Sequence, residues 1–125
     1  MTTILYVEDN EDNIYMLSKR LQREGFEIDI ARTGGEGVEM ARETLPDLII
    51  MDLVLPGMDG FQAARQLRSG SDTCHIPIIA LSASVLPEDR QRAIDAGCDD
   101  FETKPVDFPR LLMKLERLLQ AGAGQ

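Results

Sequence analysis

Positive charge is in short supply in this chain: 13 Lys and Arg stand against 22 Asp and Glu, for a formal net charge of −9. Phosphate backbones are met by clustered Lys and Arg, so this balance excludes direct nucleic-acid binding as the function. Cysteine is scarce too. Cys74 and Cys98 lie far apart and form no C-x-x-C pair, which removes a dithiol redox motif and a thiolate zinc site. Two free thiols fit a reducing compartment. The single histidine, His75, precedes Ile76-Pro77 in a loop and reads as an exposed side chain, not a catalytic or phosphotransfer base. Long apolar runs are missing: Leu48 to Leu55 is the longest, it is broken by Asp52, and it is far too short to span a bilayer. No basic segment followed by an apolar one opens the chain, so no signal peptide is expected. There is no P-loop and no G-x-G-x-x-G; Thr33-Gly34-Gly35-Glu36-Gly37 is glycine-rich but follows the second strand-like run and is better explained as a helix start. The expectation is one cytoplasmic domain over residues 1–125, with no membrane segment.

What is present is an ordinary globular composition, 43% apolar and 28% charged, in a chain long enough to bury a core. Short β-rich runs alternate with helical periodicity. Ile4–Val7 is a continuous apolar run suited to a strand buried on both faces. Asn10 caps a helix over Glu11–Glu24, where Ile14, Leu17 and Leu21 share one face and Gly25 is the stop. Glu27–Ala31 alternates as an edge strand, and Thr33-Gly34-Gly35-Glu36 has the form of a capping box opening a helix to Thr44. Leu48–Met51 reads as the central strand, then Pro56-Gly57-Met58-Asp59-Gly60 as a loop and Phe61–Arg68 as a helix. Ile76–Leu81 is the fourth predicted strand, Pro87–Ala96 the fourth helix and Asp100–Thr103 the fifth strand. A helix from Asp107 presents Phe108, Leu111, Leu112, Leu115, Leu118 and Leu119 on one stripe, and residues 121–125 read as a frayed tail. Five βα units predict an α/β fold, a five-stranded parallel sheet covered by helices on both faces.

Open sheets of this kind work at the carboxyl ends of their strands. The predicted strands end in Glu8-Asp9, Asp52, Ser82 and Lys104. Carboxylates closing buried strands and facing one another resist ionising together, and a divalent cation removes that conflict. Mg²⁺ fits best, as a hard ion that takes few protein carboxylates and fills its octahedron with water and a phosphoryl oxygen. Lys104 supplies a compact cation that pairs with a carboxylate or a phosphoryl oxygen, and its bond to Pro105 is a candidate cis peptide that would fix its aim. Ser82 offers a hydroxyl to the same group.

With these residues in place, the chain resembles a response-regulator receiver domain of two-component signalling, of the single-domain or hybrid-kinase type. The resemblance covers roughly residues 3 to 120 and rests on Val7-Glu8-Asp9-Asn10, Met51-Asp52, Leu55-Pro56-Gly57-Met58-Asp59-Gly60, Leu81-Ser82-Ala83 and Lys104-Pro105. It implies a (βα)5 flavodoxin-like three-layer sandwich. It implies Asp52 as phosphoryl acceptor from a sensor histidine kinase or histidine phosphotransfer protein, and Mg²⁺ held by Glu8, Asp9, Asp52 and the main-chain carbonyl of Val54. Asp9 would be the principal acidic ligand and Glu8 would act through water. Ser82 and Lys104 would grip the phosphoryl group, the Ser82–Leu86 loop would move inward, and Phe101 would be the switch residue, working by packing alone because it has no hydroxyl. The implied protein is a switch with at most slow autodephosphorylation, read out by a downstream protein partner, as a monomer or weak homodimer.

Three other readings compete. A haloacid-dehalogenase-type phosphatase needs a second acid two residues after the nucleophile, and that position is Val54. A flavin- or dinucleotide-binding flavodoxin-like protein shares the sheet, but the glycine-rich run Thr33–Gly37 lacks G-x-G-x-x-G and follows the second strand. A degenerate receiver-like interaction module would lack part of the pocket, which here is complete.

Overall fold

A computed structural model describes residues 1–84 and 86–123. Its elements run β1 (Thr3–Val7), α1 (Glu11–Arg23), β2 (Glu27–Ala31), α2 (Gly34–Thr44), β3 (Leu48–Asp52), α3 (Gly60–Ser69), β4 (Ile78–Ser82), α4 (Pro87–Asp95), β5 (Asp100–Thr103) and α5 (Phe108–Ala123). All neighbouring strands pair in parallel, in the order β2-β1-β3-β4-β5. This is the expected flavodoxin-like three-layer α/β sandwich, and β2 is an edge as its alternation predicts.

Alternate residues of each strand feed two cores. Ile4, Tyr6, Leu48, Ile50, Ile79 and Leu81 meet Leu17 and Leu21 of α1 and Leu111 and Leu115 of α5. Leu5, Val7, Ile49, Met51, Ile78 and Ala80 meet Val38 of α2, Phe61 and Leu67 of α3 and Ala93 of α4. A period of two along strands carrying apolar residues at every position therefore builds both interfaces at once.

Caps set the helix starts. The Asn10 side chain accepts from Asn13 N–H at 3.0 Å, Thr33 from Glu36 N–H at 3.0 Å and Asp59 from Gln62 N–H at 2.9 Å. Gly25 takes the left-handed φ of 93° just past α1, as its position as a stop anticipates. At the end of α2 the same task falls to Leu45, with φ 48° and a side chain half exposed. Left-handed backbone is strained for a residue with a Cβ. Leu45→Gly is therefore expected to raise stability by about 0.5–1 kcal/mol, seen as a higher denaturant midpoint at unchanged slope.

The structure corrects two sequence boundaries. β4 begins at Ile78, not Ile76. Pro77 has no N–H to give, and the Ile76 carbonyl is taken at 2.6 Å by Arg68 Nη1, whose Nε also holds the Gly97 carbonyl at 2.7 Å. The ladder starts where the Ile78 N–H meets the Asp99 carboxylate at 2.8 Å. At the other end α5 continues through residues 121–123, so the expected tail is helical there; residues 124–125 lie outside the described residues.

Candidate phosphoryl-transfer site

The carboxyl ends of β1, β3, β4 and β5 form one rim. Ladder bonds continue a residue past three of the strands: Glu8 N–H donates to Ala31 O at 2.9 Å, Leu53 N–H to Leu81 O at 3.0 Å and Lys104 N–H to Ser82 O at 2.8 Å. The backbone therefore fixes where these side chains start. β4 lies between β3 and β5, so the Lys104 side chain crosses the end of β4 to reach the acids. The Lys104-Pro105 bond is cis, as anticipated.

Lys104 Nζ stands 2.9 Å from Glu8 Oε1 and 3.0 Å from Asp52 Oδ2. Both acids are buried, Glu8 1% and Asp52 4% exposed, while Asp9 is exposed. Glu8, Asp9 and Asp52 each bring a carboxylate oxygen within 4.8 Å of the others, the arrangement among the described residues that suits a metal ion. They open on a basin of ≈ 560 Å³ also walled by Asn10, Val54 and Ala83. The second Asp52 oxygen, Oδ1, accepts the Val54 N–H at 3.1 Å, and Val54 itself is 73% exposed at the rim.

The electrostatics follow from this crowding. Burial, then the hydrogen-bonded Glu8 carboxylate, pushes Asp52 up to about 6, against the pull of Lys104 and the Val54 N–H. Burial also pushes Glu8 up, but the neighbouring Asp52 and the Lys104 ammonium bonded to it outweigh that and hold it below the usual range. Burial disfavours the Lys104 ammonium, yet the two acids win and raise its pKa. Glu8 and Asp52 with exposed Asp9 face one ammonium, so the donor set is hard, anionic and under-neutralised, and it fits a hard divalent cation.

Ser82 ends β4 with its hydroxyl oxygen accepting the Ser84 N–H at 3.1 Å; the residue is buried, and its neighbour Ala83 faces the basin. Phe101 pairs with Ala80 across the sheet and is 7% exposed, so its ring is already packed in the core. Residue 85, in the middle of the expected moving loop, lies outside the described residues. His75 and Cys74 are exposed and Cys98 is buried, all remote from the basin.

Several contributors escape a strand-end reading. Glu8 Oε1 accepts from Tyr6 OH at 3.2 Å and from Asn13 Nδ2 at 3.3 Å. The available signal was a hydroxyl within the apolar run Ile4–Val7, two residues before an acid and so on its face. On β5 the buried Glu102 carboxylate is clasped by Arg110 Nη2 at 2.6 Å and Lys114 Nζ at 3.1 Å, and Asp100 pairs with Arg117. Lys114 also donates to the Phe101 carbonyl at 2.7 Å. The alternation of Asp100 and Glu102 on one face of β5 was the clue to this ionic seam with α5.

Comparison with known proteins agrees with the geometry. The response regulator receiver domain model matches residues 4–116. The protein PilH of Pseudomonas aeruginosa is 38% identical over 119 residues, covering 95% of this chain and 98% of that protein. The solved receiver domain of a signal transduction histidine kinase from Syntrophus aciditrophicus superposes with a TM-score of 0.90 at 36% identity, covering 97% of this chain and 92% of that one. The receiver domain of sensor histidine kinase PA1611 from Pseudomonas aeruginosa, solved with a magnesium ion coordinated in its active-site cleft, gives a TM-score of 0.89 at 34% identity, over 95% and 98%. Among the described residues no helix is long and apolar enough to cross a membrane.

Proposed function

This chain belongs to the response regulator receiver family of two-component signalling, and from that premise we propose that Asp52 is its phosphoacceptor, charged by a sensor histidine kinase or a histidine phosphotransfer protein. The observation that carries the reading is Asp52 itself: a carboxylate at the end of a fully buried strand, 3.0 Å from an ammonium and within 4.8 Å of two further acids.

Glu8, Asp9, Asp52 and the Val54 carbonyl would hold Mg²⁺. Bound there, the ion offsets charge on the phosphoryl oxygens. The remaining work belongs to the side chains. One Asp52 carboxylate oxygen forms a bond to phosphorus while the bond from phosphorus to the donor's imidazole nitrogen breaks, its electron pair leaving on that nitrogen. Lys104, held on Asp52 Oδ2, is within reach of an oxygen of the arriving group, where it offsets the developing charge. The Val54 N–H fixes the other oxygen and so sets the direction of attack. Ser82, whose oxygen accepts the Ser84 N–H, then donates its hydroxyl to a phosphoryl oxygen, and Phe101 answers through packing alone. The protein is a switch, with at most slow hydrolysis of its own acyl phosphate, and a downstream protein in the cytoplasm reads its state. The domain spans residues 1–125 and works as a monomer or weak homodimer.

Incubation with Mg²⁺ and acetyl phosphate, followed by intact mass measurement, tests this directly. The expected result is a gain of one phosphoryl group that disappears when the divalent ion is chelated. A folded, Mg²⁺-supplied protein that gains no mass would defeat the reading.

A further inference from the structure

Glu8 is held by more donors than charge compensation requires. Its Oε1 accepts from Lys104 Nζ at 2.9 Å, Tyr6 OH at 3.2 Å and Asn13 Nδ2 at 3.3 Å, and its Oε2 faces the Asn10 N–H at 3.4 Å. Lys104 is the one cation among them, and in the proposed reaction it is shared with the phosphoryl group. The others are neutral. Tyr6 is the informative one: the residue is 1% exposed, its strand neighbours Leu5 and Val7 are aliphatic, and its hydroxyl would be costly to bury without the carboxylate it meets.

We propose that Tyr6, assisted by Asn13, is a positioning residue for the divalent cation, fixing the Glu8 carboxylate by neutral hydrogen bonds so that Glu8 stays aimed when Lys104 turns to the phosphoryl group. This rests on reading the basin as a Mg²⁺ site. A glutamate has three side-chain torsions to immobilise, and ordering them at each binding event costs free energy. Tyr6 holds the carboxylate from β1, paired on both sides within the sheet, and Asn13 from the first turn of α1, so that ordering is complete before the ion arrives. Because neither donor carries charge, neither cancels the attraction between Glu8 and a cation, as a second lysine would. Removal of groups that orient a metal ligand in this way typically costs about 10–100-fold in affinity; with Asn13 and Lys104 still in place, the lower end applies.

The test is a double-mutant cycle read by calorimetric Mg²⁺ titration of the full chain: wild type, Tyr6→Phe, Glu8→Gln and the pair. Tyr6→Phe keeps the ring in the core and is expected to weaken Mg²⁺ binding about 10-fold. Glu8→Gln is expected to weaken it as well, and adding Tyr6→Phe to Glu8→Gln to cause no further loss, because the hydroxyl acts through the carboxylate. If Tyr6→Phe lowers the melting temperature but leaves Mg²⁺ affinity intact, or costs the same in the Glu8→Gln background, the inference fails while the metal site stands. If Glu8→Gln leaves affinity unchanged, the reading of the basin fails and takes the inference with it. Asn13→Ala asks the same question from outside the sheet should Tyr6→Phe fold poorly; about 3-fold weakening, absent in the Glu8→Gln background, is expected from the loss of one neutral hydrogen bond.

Discussion

Asp52→Asn is expected to abolish phosphoryl uptake from every donor and, at neutral pH, to make the metal-free protein more stable. The first effect is chemical. The asparagine side chain has the size and the Val54-facing oxygen of the aspartate but no anionic oxygen to attack phosphorus, and Glu8, the other buried acid on the rim, is tied down by Lys104, Tyr6 and Asn13. Intact mass after acyl-phosphate treatment reads it, and an undiminished phosphoryl gain on the variant would overturn the assignment. The second effect follows from linkage. Burial and Glu8 raise the Asp52 carboxyl from 3.8 to about 6, so the folded state binds its proton more tightly than the unfolded state does. Such a group carries no penalty below pH 3.8 and an increasing one as pH rises through about 6. That shift, in which the pull of Lys104 is already included, corresponds to an upper bound of about 3 kcal/mol. Thermal melts of metal-free protein should show the Asp52→Asn variant ahead of wild type at about pH 7.5, the lead shrinking as pH falls towards about 4, and Mg²⁺ should stabilise wild type more than the variant.

Lys104→Met should act in the opposite sense. It leaves Glu8 and Asp52 buried and facing each other with no cation between them. Stranding one member of a buried pair costs about 3–5 kcal/mol; the Lys104 side chain is 22% exposed, so about 2–3 kcal/mol is expected here after solvent screening. The acids can relieve the conflict only by taking up a proton, and without Lys104, which lowers the Asp52 pKa, that proton is held to higher pH than in wild type; the loss should be greatest at alkaline pH and recede as the pH falls. Mg²⁺ should restore a larger share of stability to this variant than it adds to wild type. Melts at several pH values with and without Mg²⁺ decide the matter; a variant as stable as wild type at about pH 8 without the ion would show that the ammonium does not hold the acids together.

The layout of the sheet was readable because its signals are local. Apolar runs such as Leu48–Met51, caps at Asn10 and Thr33, and the stop at Gly25 each act within a few residues. The rim acids were readable for a related reason: polar residues that end buried strands must converge once the strands are parallel. What stayed hidden depends on partners distant in the chain. The start of β4 is decided by Arg68 and Asp99, not by the run Ile76–Leu81, which gives no hint that the Ile76 carbonyl has another donor. The strand order was also beyond a periodicity argument, so the reach of Lys104 across β4 emerged only from the pairing. Tyr6 and Glu102 escaped because each looks like an ordinary strand residue until its neighbours at Glu8 and α5 are in view.

The tether on Ser82 has a mechanical corollary. Its oxygen holds the Ser84 N–H; the Ser84 hydroxyl in turn bonds Asp89 and accepts the Leu86 N–H at 3.2 Å, at the threshold of α4. These links run in series from the rim to that helix. Drawing the Ser82 hydroxyl away would unfasten the first link, so this run of bonds ties the position of a hydroxyl on the rim to the start of α4.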